Sequence, residues 1–168
     1  MIILITSIVA AIETFGYQTD AAAISEEEKE DNKNKGTKHV FAQMDDPTLA
    51  QCPPGTTKVP GSGETFLVLD ATKSKGKSSG TFQVIFNVEE NGPEGHFTKD
   101  GKITKLKLHA DQFSLKGTET KDEICQGSEV PVAVTITGGC PHSDIKFETK
   151  SGEIVNADGE DGVIRCQE

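Results

Sequence analysis

Hydrophobic and polar residues alternate in short runs along the chain from Glu64 onward. In the clearest run, FQVIFNV at 82–88, apolar residues occupy every second position, which places them on one face of a β-strand. Further short apolar runs lie at 65–70, 102–109, 113–115, 130–137, 145–147, 153–156 and 162–166. The pattern predicts an all-β fold, an antiparallel β-sandwich or small barrel of about eight strands.

Three local features refine this expectation. Leu106 and Leu108 are in phase and Ile103 is not, which predicts a β-bulge near Thr104. Residues 89–101 are rich in Gly, Pro and charge and predict a long loop. The last two runs, 153–156 and 162–166, predict a final hairpin in an up-and-down meander.

The N-terminal part divides into three segments of different composition. Residues 2–12 are an apolar run, too short for a bilayer-spanning helix of about 20 residues, and small residues suited to cleavage follow at 21–23. Residues 1–23 therefore predict a signal peptide; a retained membrane anchor is the alternative. The charged segment 24–39 predicts a disordered linker, and 40–63, with four of the seven prolines, predicts an extended arm on a β-sandwich domain at 64–168.

The charge balance limits the class of partner. The formal net charge is −10, and Arg165 is the only arginine among 17 basic residues. Nucleic-acid binding needs clustered Lys and Arg to neutralise phosphates, so the composition argues against it. The remaining expectation is an unidentified protein or cell-envelope partner.

Four cysteines, Cys52, Cys125, Cys140 and Cys166, predict two disulfides in an exported chain. Cys125 and Cys140 flank one strand of about 23 Å, whereas bridged Cα atoms lie within about 7 Å, so these two should not pair. In a meander, three further strands return Cys166 to the end of the sheet where Cys125 lies. The predicted bridges are Cys125–Cys166 and Cys52–Cys140, the second fastening the arm.

Two short motifs suggest metal ions. Cys140 and His142 resemble part of the cupredoxin copper loop, although their spacing is shorter than that family's and no Met follows. Asn156, Asp158 and Glu160 offer oxygen ligands at alternate positions, as calcium loops do, but the EF-hand Gly and final Glu are missing. An acidic turn is the simpler interpretation of the second motif, and we predict no bound cofactor.

Sequence motifs give little support to catalysis. H-E-x-x-H is absent, and the one G-x-S-x-G match, GKSSG at 76–80, lies in a polar hairpin connection and not between a strand and a helix, where a nucleophile elbow requires it. Adjacent acids such as Asp122-Glu123 are common in loops. A secreted hydrolase would need His96, His109 or His142 to meet an acid in a cleft. We therefore expect a non-catalytic protein more than an enzyme.

The C-terminal third resembles a group of uncharacterised proteins. FSLKGTETKDEIC, VPVAVTITGGC and IKFETKSGE, followed by a last Cys, are similar to small secreted β proteins of ammonia-oxidising archaea. The resemblance implies an archaeal, exported, disulfide-containing β domain and no particular activity. The leading hypothesis is thus a secreted or cell-surface domain that binds or assembles through a sheet face or edge. A copper- or calcium-binding protein and a secreted hydrolase are the alternatives.

Overall fold

The computed structural model describes residues 36–168, which form twelve β-strands and no helix. The strands are β1 (Lys38–Asp45), β2 (Thr48–Gln51), β3 (Thr57–Lys58), β4 (Thr65–Ser74), β5 (Lys77–Val88), β6 (Gly95–His109), β7 (Gln112–Asp122), β8 (Cys125–Gln126), β9 (Val132–Gly139), β10 (Ile145–Thr149), β11 (Ile154–Ala157) and β12 (Gly162–Gln167). The predicted signal peptide and most of the predicted linker lie outside the described residues. Across 36–168 no helix has the length and hydropathy to span a bilayer.

Ten of the strands form one antiparallel sheet in the order β12-β1-β4-β5-β6-β7-β9-β10-β11-β2, and β3 pairs with β8 separately. If this sheet were flat, β1 and β2 would lie about 38 Å apart at the usual strand spacing. Only Asp46 and Pro47 connect them, a link that reaches about 11 Å at most. The sheet therefore curls until its two ends meet, and we call the gap between β12 and β2 the seam.

Curling encloses the apolar face of the sheet as the core. Phe82 of β5 and Phe147 of β10 meet across this core with ring centroids 5.1 Å apart in an edge-to-face arrangement. Gly101 of β6 lies opposite Phe82, and any side chain there would collide with the Phe82 ring. The all-β, antiparallel prediction is confirmed, and the alternation in the sequence reflects this single buried face.

The predicted bulge is present, but two local predictions were wrong. The β6–β7 register shifts between Ile103 and Lys105, which brings Ile103 and Leu106 both into the core. The segment predicted as a loop, 89–101, contributes Gly95–Gly101 to β6, because pairing with β5 organises it despite its polar composition. The predicted final hairpin does not exist. β11 pairs with β10 and β2 on one side of the seam, whereas β12 lies on the other side and pairs with β1.

The predicted arm at 40–63 was also wrong, since its first part is an internal strand. β1 is hydrogen-bonded to β12 on one side and to β4 on the other. Val40, Ala42 and Met44 alternate and are fully buried. Prolines dominate only the later part of the segment, and the domain begins at Lys38 rather than at Glu64.

Two disulfides are confirmed, but their predicted pairing was wrong. The bonds are Cys52–Cys125 and Cys140–Cys166, with Cα–Cα distances of 5.7 and 6.0 Å. The prediction assumed that β12 continues the meander beside β11. In the structure β12 lies on the other side of the seam, and its Cys166 is bonded to Cys140 after the end of β9. As expected, Cys125 and Cys140 do not bond to each other. Cys166 lies in one edge strand and Cys52 directly follows the other, so each bond fastens one edge of the sheet.

Candidate functional site

A buried group of four charged side chains lies inside the curled sheet. We call Lys99, Glu119, Asp122 and Glu153 the lysine cluster. The Lys99 Nζ atom lies 2.6 Å from Glu153 Oε2, 2.8 Å from Asp122 Oδ2 and 3.6 Å from Glu119 Oε1. All four side chains are 0–1% exposed. One ammonium and three carboxyl groups therefore share a site without water contact.

Ordinary strand geometry brings these residues together. Glu119 continues the inward-facing series of Phe113 and Leu115 along β7, and Lys99 and Asp122 are direct partners in the β6–β7 ladder. A register shift between Asp100 and Gly101 lets β7 turn both of its acids toward Lys99. Glu153 comes just before β11 and donates its backbone N–H to the Thr149 hydroxyl.

Burial dominates the electrostatics of the cluster. It raises the pKa of Glu119 to about 8; Lys99 opposes the rise, and the charges of Glu153 and Asp122 add to it. Burial also raises the pKa of Glu153, again against the effect of Lys99. One cation cannot neutralise three buried carboxylates, so the site holds at least one carboxylic acid in its protonated form near neutral pH.

Asp122 is held in an asymmetric way. Its Oδ1 atom accepts backbone hydrogen bonds from Ile124 at 3.0 Å and Cys125 at 2.9 Å. Its Oδ2 atom is close to Lys99 Nζ but lacks an aligned hydrogen bond, and Glu119 Oε2 has no hydrogen-bond partner either. The short distance from Oδ2 to Nζ makes the two groups an ion pair, which requires only proximity. A hydrogen bond would also require suitable angles at Nζ and Oδ2, which this contact lacks.

The cluster has some features of a metal site but not the necessary ligands. Donor atoms of Asp122, Cys125 and Glu153 lie within 4.8 Å of one another. However, Cys125 is in a disulfide and has no thiolate, and the Lys99 ammonium already occupies the centre of the carboxyl groups. Glu153 Oε1 contacts the Cys125 sulfur at 3.6 Å, and only a protonated carboxyl could donate a hydrogen bond there.

Glu119 should make the protein less stable as the pH rises. The folded protein keeps the Glu119 proton that the unfolded chain releases above the ordinary pKa of 4.5. The contribution of Glu119 is therefore complete below pH 4.5 and is lost as the pH rises to about 8. Urea unfolding between pH 4.5 and 8.5 should show a negative slope that Glu119→Gln reduces.

The control for this experiment is Glu89→Gln, which removes an exposed carboxyl group. It should keep the wild-type slope. A Glu119→Gln profile parallel to that of the wild type would show that Glu119 does not retain its proton in the folded protein.

A second feature is an open groove of about 680 Å³ on the outside of the sheet at the seam. Its walls are β1, β12 and the segment after β9. The Cys140–Cys166 disulfide is part of this lining. Arg165 of β12 is paired in register with Phe41 of β1. Among the described residues that line this groove none is acidic, although the chain has 27 acidic residues.

The structure does not assemble the predicted copper site. Cys140 is bonded to Cys166, so the required thiolate is absent, and His142 is exposed on the following turn. In the predicted calcium loop, Asp158 Oδ1 accepts the Glu160 backbone N–H at 2.9 Å, and Asn156 lies within β11. Asp158 thus helps to close the turn, and calcium binding there stays a prediction.

The histidines named for a hydrolase are not gathered in a cleft with an acid in the described part of the chain. His96, His109 and His142 are exposed, and His96 Nδ1 is 2.6 Å from Asn87 Oδ1. The histidine that does meet an acid is His39, whose Nε2 lies 2.9 Å from Asp70 Oδ1 beside the groove.

Comparison with known proteins identifies no relative of this chain. No protein-family profile, no curated protein and no solved structure matches the chain. The lysine cluster and the groove therefore have to be interpreted from their own geometry.

Sequence analysis missed the lysine cluster entirely. One signal was available, because Glu119 lies in phase with Phe113 and Leu115, and Glu153 with Val155. A charged residue at an inward-facing position must find a partner. Lys99 could not be recognised in this way, since it lies in the segment interpreted as a loop.

Proposed function

We propose that this protein is an exported, non-catalytic β domain that binds an acidic polypeptide segment in the groove at the seam. The observation that carries the proposal is the charge of the groove. Arg165 lines it without a lining carboxylate, in a chain of net charge −10, whereas His39, also in the lining, already pairs with Asp70 beside the groove. An anionic partner would be repelled by most of this surface and attracted here.

The groove also offers an apolar surface beside its positive charge. Phe41 is half-buried in the lining of the groove, and Val163 of the neighbouring strand, just outside the lining, is 45% exposed. An extended segment could place a carboxylate on the Arg165 guanidinium, which suits forked carboxylate binding, and an apolar side chain on Phe41. This mode is face packing next to a sheet edge rather than full strand addition, because Cys140 lies where a strand paired with Cys166 would run.

Secretion or cell-surface location is part of the same proposal. The two disulfides are consistent with an oxidising environment. The signal-like segment at 1–23 and the resemblance to exported proteins of ammonia-oxidising archaea support export and an archaeal origin. The curled sheet would then be a partly open barrel whose seam carries the binding groove.

Binding of defined peptides tests this function. We would titrate the full chain with extended octapeptides that combine Glu or Asp with Phe or Leu, and with the same peptides carrying Lys for each acid. The acidic set should bind with salt-dependent affinity, and Arg165→Glu should weaken binding at least about tenfold, the effect expected of a lost charge-assisted pair.

The matched control is Lys102→Glu, which makes the same change of charge at an exposed position of β6, four strands from β12. It should leave peptide affinity nearly unchanged. An equal loss of peptide affinity in Arg165→Glu and Lys102→Glu would show that binding depends on the net charge of the protein and not on the groove. Equal binding of the acidic and basic peptides would refute the proposed partner.

A further inference from the structure

We propose that the folded domain joins Lys99 to Asp122 through an isopeptide bond between Lys99 Nζ and Asp122 Cγ. The reaction would need no other enzyme, with Glu153 and Glu119 moving the protons. In the structure the two side chains are in contact and not bonded. This inference is independent of the proposed peptide binding, since the cluster is buried and the groove lies on the outer face.

The first argument is position. Lys99 and Asp122 face each other as register partners on neighbouring strands, and Nζ lies 2.8 Å from Oδ2. Strand pairing holds both groups in place, so attack on Cγ is intramolecular. Well-oriented intramolecular reactions reach effective concentrations of about 10⁵–10⁸ M.

The second argument is the pair of hydrogen bonds to the other carboxyl oxygen. Attack of Nζ on Cγ develops negative charge on Oδ1, and this atom already accepts the backbone N–H groups of Ile124 and Cys125. Such a pair of donors acts as an oxyanion hole, in which one donor typically contributes about 10²–10³ in rate. Oδ2 lacks a hydrogen bond and is therefore the oxygen that can leave.

The proton balance closes within the cluster. Glu153 accepts a hydrogen bond from Lys99 Nζ at 2.6 Å and receives the proton that frees the nitrogen lone pair. The N–C bond forms as the Cγ–Oδ2 bond breaks. Oδ2 leaves as water after it takes one proton from Glu119, whose Oε1 lies 3.6 Å from Lys99 Nζ and whose pKa burial raises to about 8, and the first nitrogen proton from Glu153. The second nitrogen proton replaces the one that Glu119 gave. The ammonium and the carboxylate become one amide and one water, with no change in net charge.

The surroundings favour this product. An ammonium and a carboxylate are costly to hold without water, whereas a neutral amide needs only hydrogen bonds. A cavity of about 20 Å³ next to Lys99 is large enough for the released water, and its lining includes the polar residues Lys58 and Thr65 as well as apolar groups such as Phe86. Condensation therefore removes two buried charges and has a place for its by-product.

Mass spectrometry of the whole folded chain, denatured and reduced just before measurement, tests the bond directly. The wild-type mass should fall short of the sequence mass by one water, with Lys99→Met, prepared in the same way, as the reference that shows no shortfall. Lys116→Met removes an exposed lysine of β7 and should keep the shortfall. After proteolysis, a branched peptide should link the segment with Lys99 to the segment with Asp122.

The acceptor is assigned by two further variants. Asp122→Asn should give the same product with loss of one ammonia instead of one water, and Asp122→Ala should show no loss. A shortfall that persists in Asp122→Ala would assign the bond to another carboxyl and overturn our assignment. A full-length wild-type mass without any shortfall, after prolonged incubation of folded protein, would overturn the proposal itself and leave an ordinary buried ion-pair cluster.

Discussion

Relative to wild-type protein whose mass shows Lys99 and Asp122 still unlinked, replacing Lys99 by methionine should lower the free energy of unfolding by about 3–5 kcal/mol at neutral pH, the usual cost of removing one partner from a buried ion pair. Methionine fills a similar volume but leaves Glu119, Asp122 and Glu153 without a cation in a site that water does not reach. Urea unfolding of wild type and variant at pH 7, monitored by circular dichroism, measures the difference.

Two comparisons test whether the loss of stability in Lys99→Met comes from the missing charge. Lys116→Met, at an exposed position, should change stability by no more than about 0.5 kcal/mol. Lowering the pH to about 5 should reduce the cost of Lys99→Met, because the stranded carboxyl groups then bind protons more readily. A loss below about 1 kcal/mol at pH 7 would show that the cluster is not held together by Lys99.

Removing the Cys52–Cys125 disulfide with the double variant Cys52→Ala/Cys125→Ala should cost about 4.4 kcal/mol. The bond closes a loop with a sequence separation of 73 residues, and chain entropy gives a cost of this size for such a loop. It also fastens the end of β2, an edge strand of only four residues, close to the lysine cluster. Thermal and urea unfolding measure the loss.

The matched variant is Cys140→Ala/Cys166→Ala, which opens a loop with a separation of 26 residues and should cost about 3.5 kcal/mol on the same entropy argument. Because the two costs differ little, the pairing itself is checked by peptide mapping without reduction. Fragments joining Cys125 to Cys166, as the sequence suggested, would contradict the structure, as would a stability loss below about 1 kcal/mol in either double variant.

The fold class could be predicted because alternation is a local property of the chain. The run at 82–88 reveals its inward face without knowledge of its neighbours, and the bulge near Thr104 follows from a change of phase within one strand. Long polar strands are harder to recognise. Gly95–Gly101 is a strand because β5 pairs with its whole length and β7 with its last three residues, which its composition does not show.

Strand order could not be predicted in the same way. The bridges were misassigned since β12 was expected beside β11, whereas it pairs with β1, more than 100 residues earlier in the chain. The lysine cluster was missed for a related reason. Its members lie on β6, on β7 and next to β11, and only their common burial makes Lys99 and Glu153 partners.

The amino-acid sequence by itself therefore determined the inward and outward positions of most strands, the presence of two disulfides and the acidic character of the surface, because these depend on residue type and local spacing. Only the tertiary structure decided which edges meet at the seam, which cysteines bond, and that one lysine faces three carboxyl groups. Those outcomes depend on how the sheet curls, and curling is set by the joint packing of all its strands around one core.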